Sequence, residues 1–275
     1  MEMKNHHDYF FMIKKRKVGY ACWLLWTVII MAMAQIQGWN IVFLHGLESG
    51  IHGSKARHLV ESFPGACTVP DLEMSLLNWR KRNSAIRNFG NLDRSMDGCV
   101  TVAADECNRV NQENGSSKLL VIGSSWGGAV ALKCVERGLI KPDKMLLLAP
   151  ALSATGWLGS WLWPSWEVDS TCFNYLNGTE QDYVPGSGDD KGLFLKKPIV
   201  VLHGTNDDTV PISSSESFSA QNPNFVEFHA IEGADHRMNG ALGIASRSLK
   251  SSEGQEAKLW IPLKDIIEQM LSNCS

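Results

Sequence analysis

The chain has no glycine loop built to hold phosphate: neither G-x-x-x-x-G-K-[S/T] nor G-x-G-x-x-G occurs in its 275 residues. Nucleotide-dependent chemistry therefore has no motif to rest on. Cysteine and histidine do not gather at metal-ligand spacing, and His6-His7 is a terminal pair with no further ligands near it. No metal and no cofactor is expected. The excess of one charge sign over the other is also small. The formal net charge is −3, from 26 Lys and Arg against 29 Asp and Glu. No basic face and no RNA-binding motif appears, so nucleic acid is not an expected partner. Internal repeats and a second core are absent. A hydrophobic content of 44% and a charged content of 20% are those of an ordinary globular chain, and the length suits one α/β domain with additions.

What the chain does have is a serine between two glycines. Gly123-Ser124-Ser125-Trp126-Gly127 sits where the apolar run Leu119-Leu120-Val121-Ile122 gives way to the helical pattern Gly128-Ala129-Val130-Ala131-Leu132. At a sharp strand-to-helix turn this G-x-S-x-G pattern lifts a serine hydroxyl above the edge of a sheet. The flanking glycines let strand and helix approach, and the helix N-terminus aims its free N–H groups at the reacting atom.

A serine needs a base to take its proton and a carboxylate to orient that base. In sheets of this kind the order is serine, acid, histidine, and only His203, His229 and His236 follow Ser125. His203 closes the apolar run Ile199–Leu202. His229 lies inside the strand-like Phe225–Ile231. His236 follows the loop Glu232-Gly233-Ala234-Asp235, just past that strand, where catalytic groups gather in open α/β sheets. His236 is the expected base. The acid belongs after the strand Lys197–Leu202, where Asp207 and Asp208 compete; both are also good turn residues, and the local pattern leaves the choice open. The oxyanion hole needs two backbone N–H groups. One is expected from Trp126, the residue after the nucleophile. The other is expected from Leu47 in the turn His45-Gly46-Leu47 that ends the apolar run Asn40–Leu44. His45 reads better as a buried residue bonded to nearby backbone than as a chemical group.

Apolar runs recur at residues 40–44, 66–69, 119–123, 144–149, 198–203 and 225–231, with helical patterns at about 54–63, 100–113, 126–137, 212–220 and 256–272. Alternating strands and helices predict a mostly parallel sheet covered by helices on both faces. Right-handed crossovers then bring Leu47, Ser125, the acid at 207 or 208 and His236 to one edge.

Taken together, His45-Gly46-Leu47, Gly123-Ser124-Ser125-Trp126-Gly127, Gly204-Thr205-Asn206-Asp207-Asp208-Thr209-Val210-Pro211 and Gly233-Ala234-Asp235-His236 resemble the α/β-hydrolase superfamily over about residues 39–272. The third segment resembles that superfamily's G-x-x-D-x-x-V-P pattern, which places Asp207, not Asp208, at the acid position. A looser resemblance links His45-Gly46-Leu47-Glu48-Ser49, Gly53-Ser54-Lys55-Ala56-Arg57 and Val69-Pro70-Asp71-Leu72 to small bacterial esterases of the YqiA/YcfP type. The resemblance implies an α/β-hydrolase fold with a mostly parallel central sheet and a short Trp-rich cap at about residues 151–196. It implies a Ser-His-Asp hydrolase acting on a carboxylic ester or thioester through an acyl-enzyme.

Two regions are left over. Residues 1–34 read as a leader. Lys14-Lys15-Arg16-Lys17 precedes an uncharged apolar stretch over residues 18–34 that ends in Ala32-Met33-Ala34. That is the pattern of a signal peptide with an A-x-A cleavage site, which places residues 35–275 in the secretory pathway as the hydrolase domain. The alternatives are an uncleaved anchor, giving membrane association through residues 18–34, and a targeting leader. Removal of the leader leaves an even number of the 7 cysteines, which permits disulfides, and Asn114-Gly115-Ser116 and Asn177-Gly178-Thr179 are glycosylation acceptors. The cap region carries Trp157, Trp161, Trp163 and Trp166. They pack the cap onto the core, line a pocket for an acyl or aromatic group, or sit at a lipid surface. The basic cluster Arg80-Lys81-Arg82 reads as a solvated face. A peptidase or acyltransferase on the same triad, and a non-catalytic binding module on the same scaffold, are the competing functions.

Overall fold

A computed structural model describes residues 38–47, 49–72, 92–113, 118–152, 170–176, 197–244 and 260–272. Residues 1–34 (the expected leader), the basic cluster at 80–82, Cys22, Cys274, the asparagines of both expected glycosylation acceptors, and Trp157, Trp161, Trp163 and Trp166 lie outside the described residues.

Among the described residues six strands form one sheet: β1 (Trp39–Leu44), β2 (Cys67–Thr68), β3 (Lys118–Ser124), β4 (Lys144–Leu148), β5 (Ile199–Gly204) and β6 (Val226–Ile231). Their order is β2-β1-β3-β4-β5-β6, and every pairing is parallel. The chain runs outward from β1 to the two-residue edge strand β2, then crosses back to place β3 on the other side of β1. That reversal opens a crevice beyond the carboxyl ends of β1 and β3, the place where open α/β sheets bind ligands. The helices are α1 (Ser54–Ser62), α2 (Leu92–Glu113), α3 (Trp126–Glu136), α4 (Ile212–Gln221) and α5 (Leu263–Ser272), with a 3-10 segment at Ser170–Leu176.

Strands buried on both faces need continuous apolar runs, and alternate residues serve alternate faces. Val42, Leu44, Leu119, Val121, Met145, Leu147, Ile199 and Val201 pack into one cluster with α2, α3 and Phe173 of the 3-10 segment. Ile41, Phe43, Leu120, Ile122, Leu146, Leu148, Val200 and Leu202 are equally buried and point the other way. Each such side chain contributes about 1.5–3 kcal/mol of transfer free energy. Lys144 shares that second face and donates from Nζ to the Met270 carbonyl at 2.7 Å, which ties α5 to it. Among the described residues no helix is long and apolar enough to cross a membrane.

Three boundaries differ from the sequence pattern. Helix α2 begins at Leu92 rather than near 100, because Met96, Cys99, Val100, Ala103, Cys107 and Val110 keep one buried stripe at helical spacing through Gly98. Helix α5 begins at Leu263 rather than near 256: Pro262 disfavours helix in the residue before it, and Trp260 and Leu263 instead donate to the carbonyls of Ala241 and Leu242 at 2.9 and 3.0 Å. Within the expected cap, Ser170–Leu176 belongs to the core. Phe173 is fully buried, with ring centroids 6.2 Å from Phe218 and 6.0 Å from Phe225, and the Tyr175 hydroxyl donates to the Pro142 carbonyl at 3.2 Å.

Cys67, Cys107 and Cys134 are free thiols. Burial raises Cys67 and Cys134 to about 12 and pushes Cys107 up as well, so these thiols stay protonated and unreactive at neutral pH.

Helix α3 approaches β1 closely at Gly127. A Cβ on Gly127 would lie 2.0 Å from the Leu44 carbonyl oxygen, and backbone cannot swing aside as a side-chain tip can. Gly127→Ala is expected to cost ~3 kcal/mol or more, the upper end for overpacking. A urea denaturation midpoint equal to wild type would refute this account of the packing.

Candidate active site

Ser125 occupies the first position past β3 and caps α3 with φ 53° and ψ −117°. A side chain rarely adopts a positive φ, which costs of order 1–3 kcal/mol and persists only when its surroundings hold it. Here they do. The Ser125 N–H donates to the Leu148 carbonyl at 2.8 Å, and the Ser125 carbonyl accepts from Gly128 at 3.0 Å and Ala151 at 3.0 Å. Serine at a helix N-cap usually bonds its hydroxyl to the helix's own N–H groups. Ser125 makes no such bond. Its Oγ lies 3.0 Å from Nε2 of His236 instead.

His236 stands on the loop after β6. Its Nδ1 is 2.7 Å from Oδ2 of Asp207. A carboxylate accepts, so Nδ1 carries the proton and Nε2 is left to accept from the Ser125 hydroxyl. Two loops set this spacing. Thr205 and Asn206 donate backbone N–H groups to the carbonyls of Ile231 and Ala234, both at 3.0 Å, and Gly233 N–H donates to Thr205 Oγ1 at 2.8 Å. Gly204 permits the contact: a Cβ there would sit 2.2 Å from the Ala234 carbonyl oxygen.

The Asp207 side chain is fully buried. Its Oδ1 accepts from the N–H groups of Thr209 at 2.9 Å and Val210 at 2.8 Å. Burial alone would raise its pKa, but hydrogen bonds from His203, His236, Val210 and Thr209 outweigh it and hold the carboxyl well below the usual carboxylate range. Asp208 is exposed and accepts only from the Thr209 hydroxyl among its described contacts, at 3.1 Å. A lowered folded-state pKa means that the unfolded chain binds the proton more readily. The stability Asp207 contributes is therefore full above the ordinary value of about 3.9 and fades as pH falls through that value toward the folded one. The stability gap between wild type and Asp207→Asn is expected to be narrower at pH 3 than at pH 7, read from urea denaturation at both; a gap that widens on acidification would contradict this.

The turn after β1 lies against the nucleophile. A Cβ on Gly46 would be 3.3 Å from Ser125 Cβ and 3.8 Å from its Oγ. Leu47 follows it, and Trp126 opens α3 beside Ser125. His45 is buried and accepts the Leu72 N–H on Nε2 at 3.1 Å, while its Nδ1 donates to the Gly46 carbonyl at 2.9 Å. It fixes the turn and stays off the reacting groups. His229 bonds Glu227 on β6 at 2.7 Å, away from Ser125. Burial lowers the Lys55 ammonium to about 8, with Asp235 opposing and Arg237 adding to the shift. Among the described residues no group of three or more His, Cys, Asp or Glu is placed to hold a metal ion.

No protein-family model and no curated protein matches the chain. Solved structures do. The chain is similar to MGS-M1, an α/β hydrolase enzyme from a Medee basin deep-sea metagenome library, with a TM-score of 0.52 at 18% identity over 86% of this chain and 84% of that one. The fold is that of the α/β-hydrolases. Two further hydrolase-fold structures are similar at lower scores: an α/β serine hydrolase homologue from Coxiella burnetii (TM-score 0.45, 14% identity, 85% and 83% coverage) and an α/β serine hydrolase without lid from Xanthomonas campestris (TM-score 0.44, 14% identity, 73% of each chain).

On this hydrolase fold the structure brings Ser125, His236 and Asp207 into one hydrogen-bonded line. It adds two residues that the sequence pattern did not single out for the site. His203 is fully buried behind Asp207, with Nε2 3.0 Å from Asp207 Oδ2, and Ser215 of α4 is buried 2.8 Å from His203 Nδ1. The i,i+4 spacing of His203 and Asp207 was visible, but the pair spans a loop, where such spacing carries no geometric meaning.

Proposed function

We propose that this chain is a serine hydrolase that cleaves a carboxylic ester or thioester through an acyl-enzyme. The observation that carries the reading is the run Ser125 Oγ, His236 Nε2, His236 Nδ1, Asp207 Oδ2, with links of 3.0 and 2.7 Å in the proton order the chemistry needs. Ser125 Oγ attacks the substrate carbonyl as His236 Nε2 takes its proton. The N–H groups of Leu47 and Trp126 hold the oxyanion, each lowering the barrier by about 2.7–4 kcal/mol. Collapse expels the alcohol or thiol, which takes the proton from His236. Water then attacks the acyl-enzyme with His236 as base, releasing the acid and restoring Ser125. Asp207 stays ionised and orients His236 throughout.

Within the superfamily, the segments around His45 and Lys55 favour a relationship to the small YqiA/YcfP-type esterases. The tryptophans Trp157, Trp161 and Trp163 are proposed to line the acyl pocket. The leader over residues 1–34 supports work in the secretory pathway, either as a secreted enzyme or held at a membrane through residues 18–34. N-terminal sequencing of the mature protein separates these.

The test is a fluorophosphonate probe on the folded protein, followed by peptide mapping. An adduct on Ser125 is the expected result, and no adduct would sink the reading. Turnover of short acyl esters over aminoacyl amides is expected; the reverse preference would make the chain a peptidase.

A further inference from the structure

Asp207 faces two histidines, not one. On one side Oδ2 meets His236 Nδ1 at 2.7 Å; on the other it meets His203 Nε2 at 3.0 Å. His203 Nε2 is also 3.0 Å from the Val210 carbonyl, and its Nδ1 is 2.8 Å from Ser215 Oγ. Residue types and distances thus make two Ser–His–Asp runs sharing one carboxylate. Access tells them apart. The His236 side chain is 20% exposed and Ser125 is partly exposed, whereas His203 and Ser215 are both 0% exposed. No substrate reaches the second run, so its work is on Asp207.

We infer that Ser215 and His203 are positioning residues that lock the Asp207 carboxylate from behind. The inference rests on the hydrolase reading and deepens it. The tautomer follows from the partners. Both groups facing His203 Nε2 are acceptors, a carbonyl and a carboxylate, so Nε2 carries the proton and shares it between them. Nδ1 is then an acceptor, and the Ser215 hydroxyl donates to it. Ser215 therefore selects the tautomer that puts an N–H on the back of Asp207. Val210 closes the lock, because its N–H donates to Asp207 Oδ1 while its carbonyl accepts from His203. With both oxygens held, the carboxylate cannot rotate away from His236. Each added donor also draws electron density from it, so the proton on His236 Nδ1 stays on His236 when the imidazolium forms.

Three variants, with His203→Leu as a fourth in reserve, test this, read by the second-order rate of fluorophosphonate labelling at Ser125 and by kcat and KM on a short p-nitrophenyl ester. His203→Phe fills the space without a donor. It is expected to lower kcat and labelling by about 10- to 100-fold, the scale of one charge-assisted hydrogen bond, with KM within about twofold. His203→Gln keeps an N–H on a side chain of similar reach and should recover most of that loss. Ser215→Ala frees the tautomer and should cost about 3- to 10-fold, less than one such hydrogen bond. The low-field proton resonance of His236 Nδ1 should shift in His203→Phe and return in His203→Gln. If His203→Phe fails to fold, Ser215→Ala and His203→Gln decide: Ser215→Ala at wild-type rate, or glutamine no better than an apolar residue at 203 in a folded variant such as His203→Leu, overturns the inference. Wild-type protein that takes no probe would sink the hydrolase reading itself. Wild-type protein that labels, with His203→Phe labelling equally fast, sinks only the role of His203 and Ser215.

Discussion

Ser125→Ala should lower ester turnover by about 10⁶-fold and abolish fluorophosphonate labelling, because the nucleophile acts as a unit with its base and no other hydroxyl among the described residues is bonded to His236. Ser124 is the adjacent serine, but it ends β3 and is buried, with its backbone paired to β4. The measurement is steady-state hydrolysis of a short acyl ester beside labelling on the same preparation. A variant within 100-fold of wild type would place the nucleophile elsewhere. The strained backbone supplies a second readout. Ser125 holds φ 53°, a conformation glycine adopts freely and alanine does not. Ser125→Gly should therefore be more stable than Ser125→Ala by ~1 kcal/mol while being equally inactive. Equal denaturation midpoints would mean that the turn stores no strain.

Asp207→Asn should cost about 10⁴-fold in kcat, and Asp208→Asn next to nothing. The amide that replaces the carboxylate is the same size, so the pocket still closes around it. What changes is the proton. Four N–H groups converge on Asp207, from Thr209, Val210, His203 and His236. An asparagine NH₂ turned toward His236 would make Nδ1 the acceptor and move the ring proton to Nε2, which could then no longer accept from Ser125. Asp208 is exposed and bonded to Thr209 Oγ1 alone among its described contacts, and has no such duty. Kinetics of the two single variants, with Ser125→Ala/Asp207→Asn as the double, provide the check. The double should be no slower than Ser125→Ala. Equal losses from Asp207→Asn and Asp208→Asn would refute the assignment.

Much of this was legible in the sequence for a physical reason. Strands covered on both faces are largely apolar, so Ile41–Leu44, Leu119–Ile122 and Ile199–Leu202 announced themselves. Turn chemistry marked their ends. The order of Ser125, Asp207 and His236 could be read because parallel strands put every carboxyl end on the same edge. Less legible were the two helix starts. Gly98 broke a pattern that burial carried through, and Pro262 stopped one that hydrophobicity alone would have extended. The resemblance to a known superfamily, not local pattern, chose Asp207 over its neighbour; burial of the one and exposure of the other supply the physical counterpart.

The sequence alone determined the alternation of strand and helix, the elbow at Ser125, and the glycines that let α3 and the β6 loop come within contact of backbone. These are local or periodic properties, and the chain carries them wherever it is read. Only the tertiary structure decided that two histidines flank the same carboxylate, His203 buried and His236 accessible. His203 and His236 each lie past or at the end of a strand, each within reach of Asp207. Their difference is solvent access, which depends on α4 closing over His203 and on the loop after β6 leaving His236 open. No window of sequence contains that information, because it comes from residues far apart in the chain packing on the same carboxylate.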